Sequence, residues 1–334
     1  MSRTYQGGLI TKTPVTPAGP FQCGAASGVW TIDQMVGWQK AGVWPVAGNE
    51  VGTFAIFALG RSSCVNSTIK NKYTYSGDVN ALATSATVGS QYQSAAGNNT
   101  RGIFAIGYTT TAVTTRNKHT YSGCVVASAT SASVVNYRGS ATGNSTRGIF
   151  ALGETSIPYS TTRNIYTYSG DTSGAAAAAS LASRDGAAAG NSTVGIFALN
   201  SICCGCSISS ITTRNKYTYA TCTSASATAA STTGGCGPSA TGNSLVGIFA
   251  LGNLVRNKYT YSGDVNAVAT AQSVSSGGQS AAGNSTIGIF ALGGNLTTRN
   301  KYTYSGCVSA SATASSAGTL FGSAASNGTT GVNV

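Results

Sequence analysis

The sequence predicts an all-β protein, a six-bladed β-propeller of four-stranded blades behind a short N-terminal arm and helix, and three observations predict it. One segment recurs six times: the phenylalanine of Phe-Ala-Leu or its equivalent stands at Phe57, Phe104, Phe150, Phe197, Phe249 and Phe290, at intervals of 47, 46, 47, 52 and 41 residues. Each period holds four β-prone segments separated by Gly and Asn-Ser-Thr clusters, which supply turn geometry. The residue that closes each Tyr-rich segment alternates without exception: Asp78, Cys124, Asp171, Cys222, Asp264, Cys307. A period of about 45 residues marks a propeller or a solenoid, and four short strands per period are the content of a blade. An alternating ring closes only on an even number, so six blades are preferred to seven. A β-solenoid is the other alternative; the scatter of repeat lengths argues against it, because loops on a propeller rim vary freely.

Residues 1–46 stand outside the repeat. Pro14, Pro17 and Pro20 among Gly, Thr and Ala favour an extended arm. Thr31 with Gln34 forms a capping-box pattern, Asp33 suits a first helical turn, and Gly42 with Pro45 gives a stop, so a helix is predicted over 32–41. The chain's three tryptophans, Trp30, Trp38 and Trp44, lie before, on and after that helix. They read either as a docking element for another protein, since aromatics are favoured at interface centres, or as a plug for one end of the repeat body.

Residues 47–334 are the body. In the second copy the strands are predicted at 94–99, 102–107, 115–123 and 125–134. The second, with Ile103, Phe104, Ala105 and Ile106 in a row, is apolar on both faces and suits an inner position covered by neighbouring blades. The third alternates Asn117, His119 and Tyr121 against Arg116, Lys118 and Thr120. The fourth, nearly all Ala, Ser, Thr and Val, is expected on the outside. Residues 326–334 align with 143–151 and begin a copy that never finishes; such a strand would pair with the first blade around 48–59 and remove an open edge.

The stretch ASGVWTIDQ…AGVWP behind a Gly/Thr/Pro-rich arm resembles the N-terminal segment of structural proteins of tailed bacteriophages, marine and cyanobacterial ones in particular, over about 20 residues. The body is similar to phage versions of kelch-like propeller repeats, with a Gly-bounded aromatic strand and a Tyr-rich strand. It departs from cellular kelch repeats: a Gly-Gly pair follows the aromatic strand only at Gly293-Gly294, and no Trp recurs. The resemblance implies a virion protein that is a tail, fibre or capsid-decoration component, present in many copies or as a homo-oligomer. It would be held to other virion proteins through residues 1–46 and be made in the host cytoplasm without a signal peptide.

Composition limits the chemistry. Of 334 residues only 8% are charged, yet Lys+Arg outnumber Asp+Glu by 19 to 7, giving a formal +12. The single histidine, His119, stands where other copies carry Tyr and reads as a packed aromatic substitute. None of the seven acids forms a local pair of the glycosidase kind, and Asp78, Asp171 and Asp264 recur with the repeat, which points to a turn or cap. No enzyme and no cofactor is implied. Cys203, Cys204 and Cys206, with Cys222 and Cys236 downstream, are the one metal-like cluster but lack separated Cys-x-x-Cys knuckles. Zinc, a disulfide and free thiols all stay open there, with reduced thiols the default for a chain lacking a secretion signal. Asn144-Ser145-Thr146 and its equivalents read as turns rather than glycan acceptors. No apolar run approaches the roughly 20 residues of a membrane helix, so membrane insertion is not expected.

Lys70, Arg116, Arg163, Arg214, Arg256 and Arg299 occupy one place in six successive copies. If the copies form a ring, these form a basic circle. It would either attract acidic sugars, phosphates or an acidic neighbour or hydrogen-bond loops between blades. Nucleic acid is not expected, because the tyrosines have packing roles. The function these features favour is a non-enzymatic virion protein displaying a propeller for assembly and for host-surface polysaccharide, with contacts on the loops 108–113, 154–160 and 200–211. A free-standing lectin-like propeller is the alternative.

Overall fold

The computed structural model describes residues 31–34, 36, 52–58, 60–63, 65–105, 107–151, 153–154, 159–200, 210–275 and 277–328. Within them the chain forms six four-stranded antiparallel sheets. Taken from the axis outward, blade 1 is Ser323–Ser326, Phe54–Ala58, Lys70–Thr74 and Val79–Ala83; blade 2 is Ser94–Gly97, Arg101–Ala105, Arg116–Thr120 and Val125–Ala129. Blade 3 is Ser140–Gly143, Arg147–Ala151, Arg163–Thr167 and Thr172–Ala176; blade 4 is Ala187–Gly190, Val194–Ala198, Arg214–Thr218 and Thr223–Ala227. Blade 5 is Ser239–Gly242, Val246–Ala250, Arg256–Thr260 and Val265–Ala269; blade 6 is Ser280–Gly283, Ile287–Ala291, Arg299–Thr303 and Val308–Ala312.

Each inner strand lies beside the next, and the series returns from Ser323–Ser326 to Ser94–Gly97. The wheel is therefore closed and has six blades, not seven, and it is not a solenoid. Closure joins the two ends of the body, with Phe57 opposite Ala324. The closing strand is Ser323–Ser326 rather than the segment from 326 onward: the final copy supplies its inner strand, and the alignment with 143–151 had started only at that strand's last residue.

Residue size sets strand position. Sheets converge at the axis, and the inner strands read Ser-Ala-Ala-Gly or close variants, fully buried along their length. The second strands bury Ile and Phe on opposite faces against neighbouring blades, with Ile103, Phe150, Ile196 and Phe249 all sealed from solvent. In blades 2 to 6 the hydroxyl of the second Tyr of the Tyr-rich strand reaches the start of that Phe strand. A Cβ at Gly102 would stand 2.9 Å from Tyr121 Oη and 2.8 Å from Ala325 Cβ, so glycine is required there. The outer strands alternate exposed and half-buried residues, as expected.

Thr31 and Gln34 form the predicted capping box: Thr31 N donates to Gln34 Oε1 at 2.9 Å and Gln34 N to Thr31 Oγ1 at 3.2 Å, and residues 32–34 are helical. Trp30, Trp38 and Trp44, the arm, Cys203, Cys204, Cys206 and Val332 lie outside the described residues. Cys236 is disulfide-bonded, which corrects the expectation that all thiols are reduced.

The Asn-Ser-Thr clusters are turns. Asn144 Oδ1 accepts from Thr146 N, Thr146 Oγ1 and Arg147 N, while its Nδ2 donates 3.2 Å to Ser192 O of the next blade. This fixes the two faces of the wheel. The short Asn turns occupy one; the loops between second and third strands and the connections between blades occupy the other, where they bridge at Gln91 with Tyr108 and at Tyr137 with Glu154.

Candidate binding site at the axial mouth

The basic series does form a circle, but inside the wall of the wheel. Arg116, Arg163, Arg214 and Arg256 are fully buried, and Arg299 and Lys70 are 1% exposed. Each guanidinium lies over the marker phenylalanine of the following blade: Arg116 over Phe150 at 4.5 Å, Arg214 over Phe249 at 4.6 Å, Arg299 over Phe57 at 4.6 Å. It also donates to that blade's third and outer strands, as Arg214 does to Asn257 Oδ1 at 3.2 Å and Asn266 Oδ1 at 2.7 Å. Burial lowers these guanidinium groups to about 10, still charged at neutral pH. A sugar or phosphate cannot reach them. The physical reason is that the neighbouring blade covers the first residues of each third strand, where the arginine stands, and only the later Lys and Thr positions are partly exposed.

The junction between blades 1 and 2 departs from this pattern. Lys70 lies 4.5 Å over Phe104, but its ammonium has no hydrogen-bond partner; the outer-strand Ser or Asn is here Val126. Burial pushes Lys70 down to about 8. His119, in the place of Tyr, is fully buried with both ring nitrogens unpartnered. Burial, then Lys70 and Lys72, push it down to about 3. His119 is a packed neutral ring.

Asp78, Asp171 and Asp264 are turn latches. All three adopt positive φ. Asp171 Oδ1 accepts from the Tyr166 hydroxyl and from Thr130 N at 3.0 Å, and Oδ2 takes Lys118 Nζ at 2.6 Å, both of the latter in the preceding blade. Burial opposes ionisation, but these donors outweigh it and hold the carboxyl below the usual range. Cys222 and Cys307, at the intervening junctions, instead receive weaker donors, Arg147 at 3.1 Å and Lys258 at 3.8 Å. Among the described residues no group of three or more His, Cys, Asp or Glu is placed to hold a metal.

A different ring faces solvent. Two residues before each inner strand the chain carries Tyr92, Arg138, Asp185, Gly237, Gly278 or Phe321, one per blade, and all six have positive φ. They surround the mouth of the axial channel on the long-loop face, above a small, open recess that they line with Gln93, Pro238 and Gln279. Left-handed backbone is natural for glycine and strained by roughly 1–3 kcal/mol for bulky residues. Two blades show that glycine fits here, yet four keep side chains.

Those side chains converge. Arg138 donates to Asp185 Oδ2 and to the Tyr92 hydroxyl, each at 3.0 Å, and its guanidinium lies 4.2 Å over the Tyr92 ring. Arg184 pairs with Glu154 at 2.5 Å. Burial raises the Asp185 carboxyl against the opposing pull of Arg138. Rings run from the loop 107–113 to the axis: Tyr108 to Tyr137 at 5.4 Å between centroids, Tyr137 to Tyr92 at 5.9 Å, Tyr92 to Phe321 at 4.2 Å. All four rings are half-buried. Phe321 reaches across the mouth, where a Cβ on Gly237 or Gly278 would meet its ring at 3.4 or 2.9 Å.

Sequence reasoning missed this ring. The signal is present once copies are aligned on the inner strand: the position two before Ser-Ala, or before Ala187-Ala188 in the fourth blade, reads Tyr, Arg, Asp, Gly, Gly, Phe.

No family model matches the chain, and no curated protein matches its sequence. Among solved structures it is similar to that of YjhT, with a TM-score of 0.56 at 8% identity, over 73% of this chain and 93% of that one. At that identity the likeness shows the propeller fold alone.

Proposed function

We propose that this protein is a non-enzymatic component of a tailed-bacteriophage particle, held through residues 1–46, whose propeller turns its long-loop face outward to bind the host surface. The observation that carries the binding role is the axial mouth, where four bulky side chains are kept in backbone geometry that glycine would occupy without strain. At Asp78, Asp171 and Asp264 such backbone serves a turn; at the mouth it instead gathers four unlike side chains around one opening, and strain so clustered is common at ligand sites. The attachment role rests on the resemblance of residues 1–46 to phage structural proteins. The acids at the mouth are engaged by Arg138 and Arg184, which favours binding over catalysis.

Particle composition tests the assignment. Mass spectrometry of purified particles is expected to find the chain in many copies, and deletion of residues 1–46 to remove it from particles while the free propeller stays folded. Absence from particles, with saccharide binding by the soluble chain, would instead establish the free-standing lectin.

A further inference from the structure

The expected ligand of a protein with a formal charge of +12 is an anion, and the structure points elsewhere. We infer that the row Tyr108, Tyr137, Tyr92 and Phe321, ending at the axial recess, binds an uncharged saccharide chain. This rests on the binding role proposed above and names its ligand.

Three features of the mouth select for it. First, its charges are closed on one another: Arg138 on Asp185, Arg184 on Glu154, with Arg138 Nε also 3.9 Å from Glu154. Two cations and two anions cancel, and no unpaired charge remains among them to recognise a sulfate, phosphate or carboxylate. The arginine series that supplies much of the net charge is sealed between blades. Secondly, the row is a run of half-buried rings packed against one another, with centroids 5.4, 5.9 and 4.2 Å apart, which makes a continuous aromatic strip leading to the recess. Tyr92 is engaged by Arg138 and Phe321 and holds the strip together, while the solvent-facing parts of the half-buried rings attract the weakly positive C–H groups of a sugar. Thirdly, the floor is built for hydroxyl groups. Below the mouth the channel is lined by Gln93, Gln279, Ser94, Ser140, Ser239 and Ser280, and beside the row Gln91 Oε1 is buried without a donor. Amide and hydroxyl groups donate and accept in turn, as a hydroxyl-rich ligand requires.

Two hydroxyls of the row, those of Tyr92 and Tyr137, are already fixed. Tyr92 Oη accepts from Arg138. Tyr137 hydrogen-bonds Glu154 and is pushed up to about 12, by burial first and that carboxylate second. Anchoring at the hydroxyl end holds these two rings in place before a ligand arrives, which reduces the entropy lost on binding. The glycines of blades 5 and 6 make room for the Phe321 ring, which ends the row at the recess.

The test is calorimetric titration of the full chain with neutral hexose oligosaccharides of several linkages, with sialylated and sulfated oligosaccharides of equal length, and with a proline-rich peptide, at low and high ionic strength. Binding of a neutral saccharide, unchanged by salt, is expected. Phe321→Gly relieves a positive φ and is expected to leave thermal stability unchanged or raised while weakening binding about tenfold. Tyr137→Ala is expected to weaken it similarly. Binding confined to anionic saccharides and lost in salt, binding of the peptide in place of sugar, binding of no saccharide, or unchanged affinity in both variants would overturn the inference. None of these outcomes bears on whether the chain is found in particles, so the two ideas fail separately.

Discussion

The guanidinium of Arg299, on the last blade, lies 4.6 Å over the ring of Phe57 on the first. It donates to Asn80 Oδ1 at 2.7 Å and Asn71 Oδ1 at 3.3 Å. The same clasp recurs at four other junctions, so the contact that closes the wheel is the one that builds it.

Removing the Arg214 clasp takes the Arg donor from half-buried Asn266 Oδ1, leaves Asn257 Oδ1 with Ser231 N at 3.0 Å, and opens a cavity beside Phe249. Arg214→Ala is therefore expected to destabilise the protein by about 3 kcal/mol. Denaturant unfolding reads this, and a loss within about 0.5 kcal/mol would show the clasp to be ornamental.

The junction between blades 1 and 2 should accept repair. Lys70→Arg with Val126→Ser restores the residues that blades 2 and 3 use, Arg116 and Ser173 at 3.0 Å. The double variant is expected to gain about 1–2 kcal/mol, more than the two single changes together. A double-mutant cycle without coupling would contradict it.

That junction also gives the protein an acid sensitivity. The folded-state value of His119, about 3, lies below its ordinary 6.5, so the unfolded chain takes up the proton first as pH falls. Stability carried by the neutral ring is fully present above 6.5 and lost as pH drops towards 3, by on the order of 5 kcal/mol. His119→Tyr, the residue of the five other blades, is expected to flatten the pH profile of unfolding between pH 4 and 6.5. Identical profiles for the two proteins would refute this.

Unequal junctions follow from the alternation of Asp and Cys. Asp171→Ala removes a carboxylate that holds Thr130 N at 3.0 Å and Lys118 at 2.6 Å and is expected to lower stability by about 2 kcal/mol. Cys222→Ala is expected to lower it by less than about 1 kcal/mol. Equal losses would mean that the alternation has no energetic content.

Much of the wheel was legible because its strands repeat at the level of side-chain size. Ile103 and Phe104, apolar on both faces, announced a strand covered on each side, and the alternation of Asp78 with Cys124 announced an even ring. The burial of Arg116 and its equivalents was not legible, because a periodic arginine looks the same on a rim as against a phenylalanine one blade away. Tyr92, Arg138, Asp185 and Phe321 were hidden for the opposite reason: they do not repeat chemically, and only their shared left-handed backbone makes them a set.

Closure of the wheel is tested most directly by a disulfide between its ends. Ala55 and Ser326 lie opposite one another across the closing pair of strands, so Ala55→Cys with Ser326→Cys is expected to cross-link on mild oxidation of the folded monomer. The product would be a peptide pair joining the two ends of the body, read by mass spectrometry. A folded, monomeric double variant in which these two thiols never pair would show that the ends do not meet.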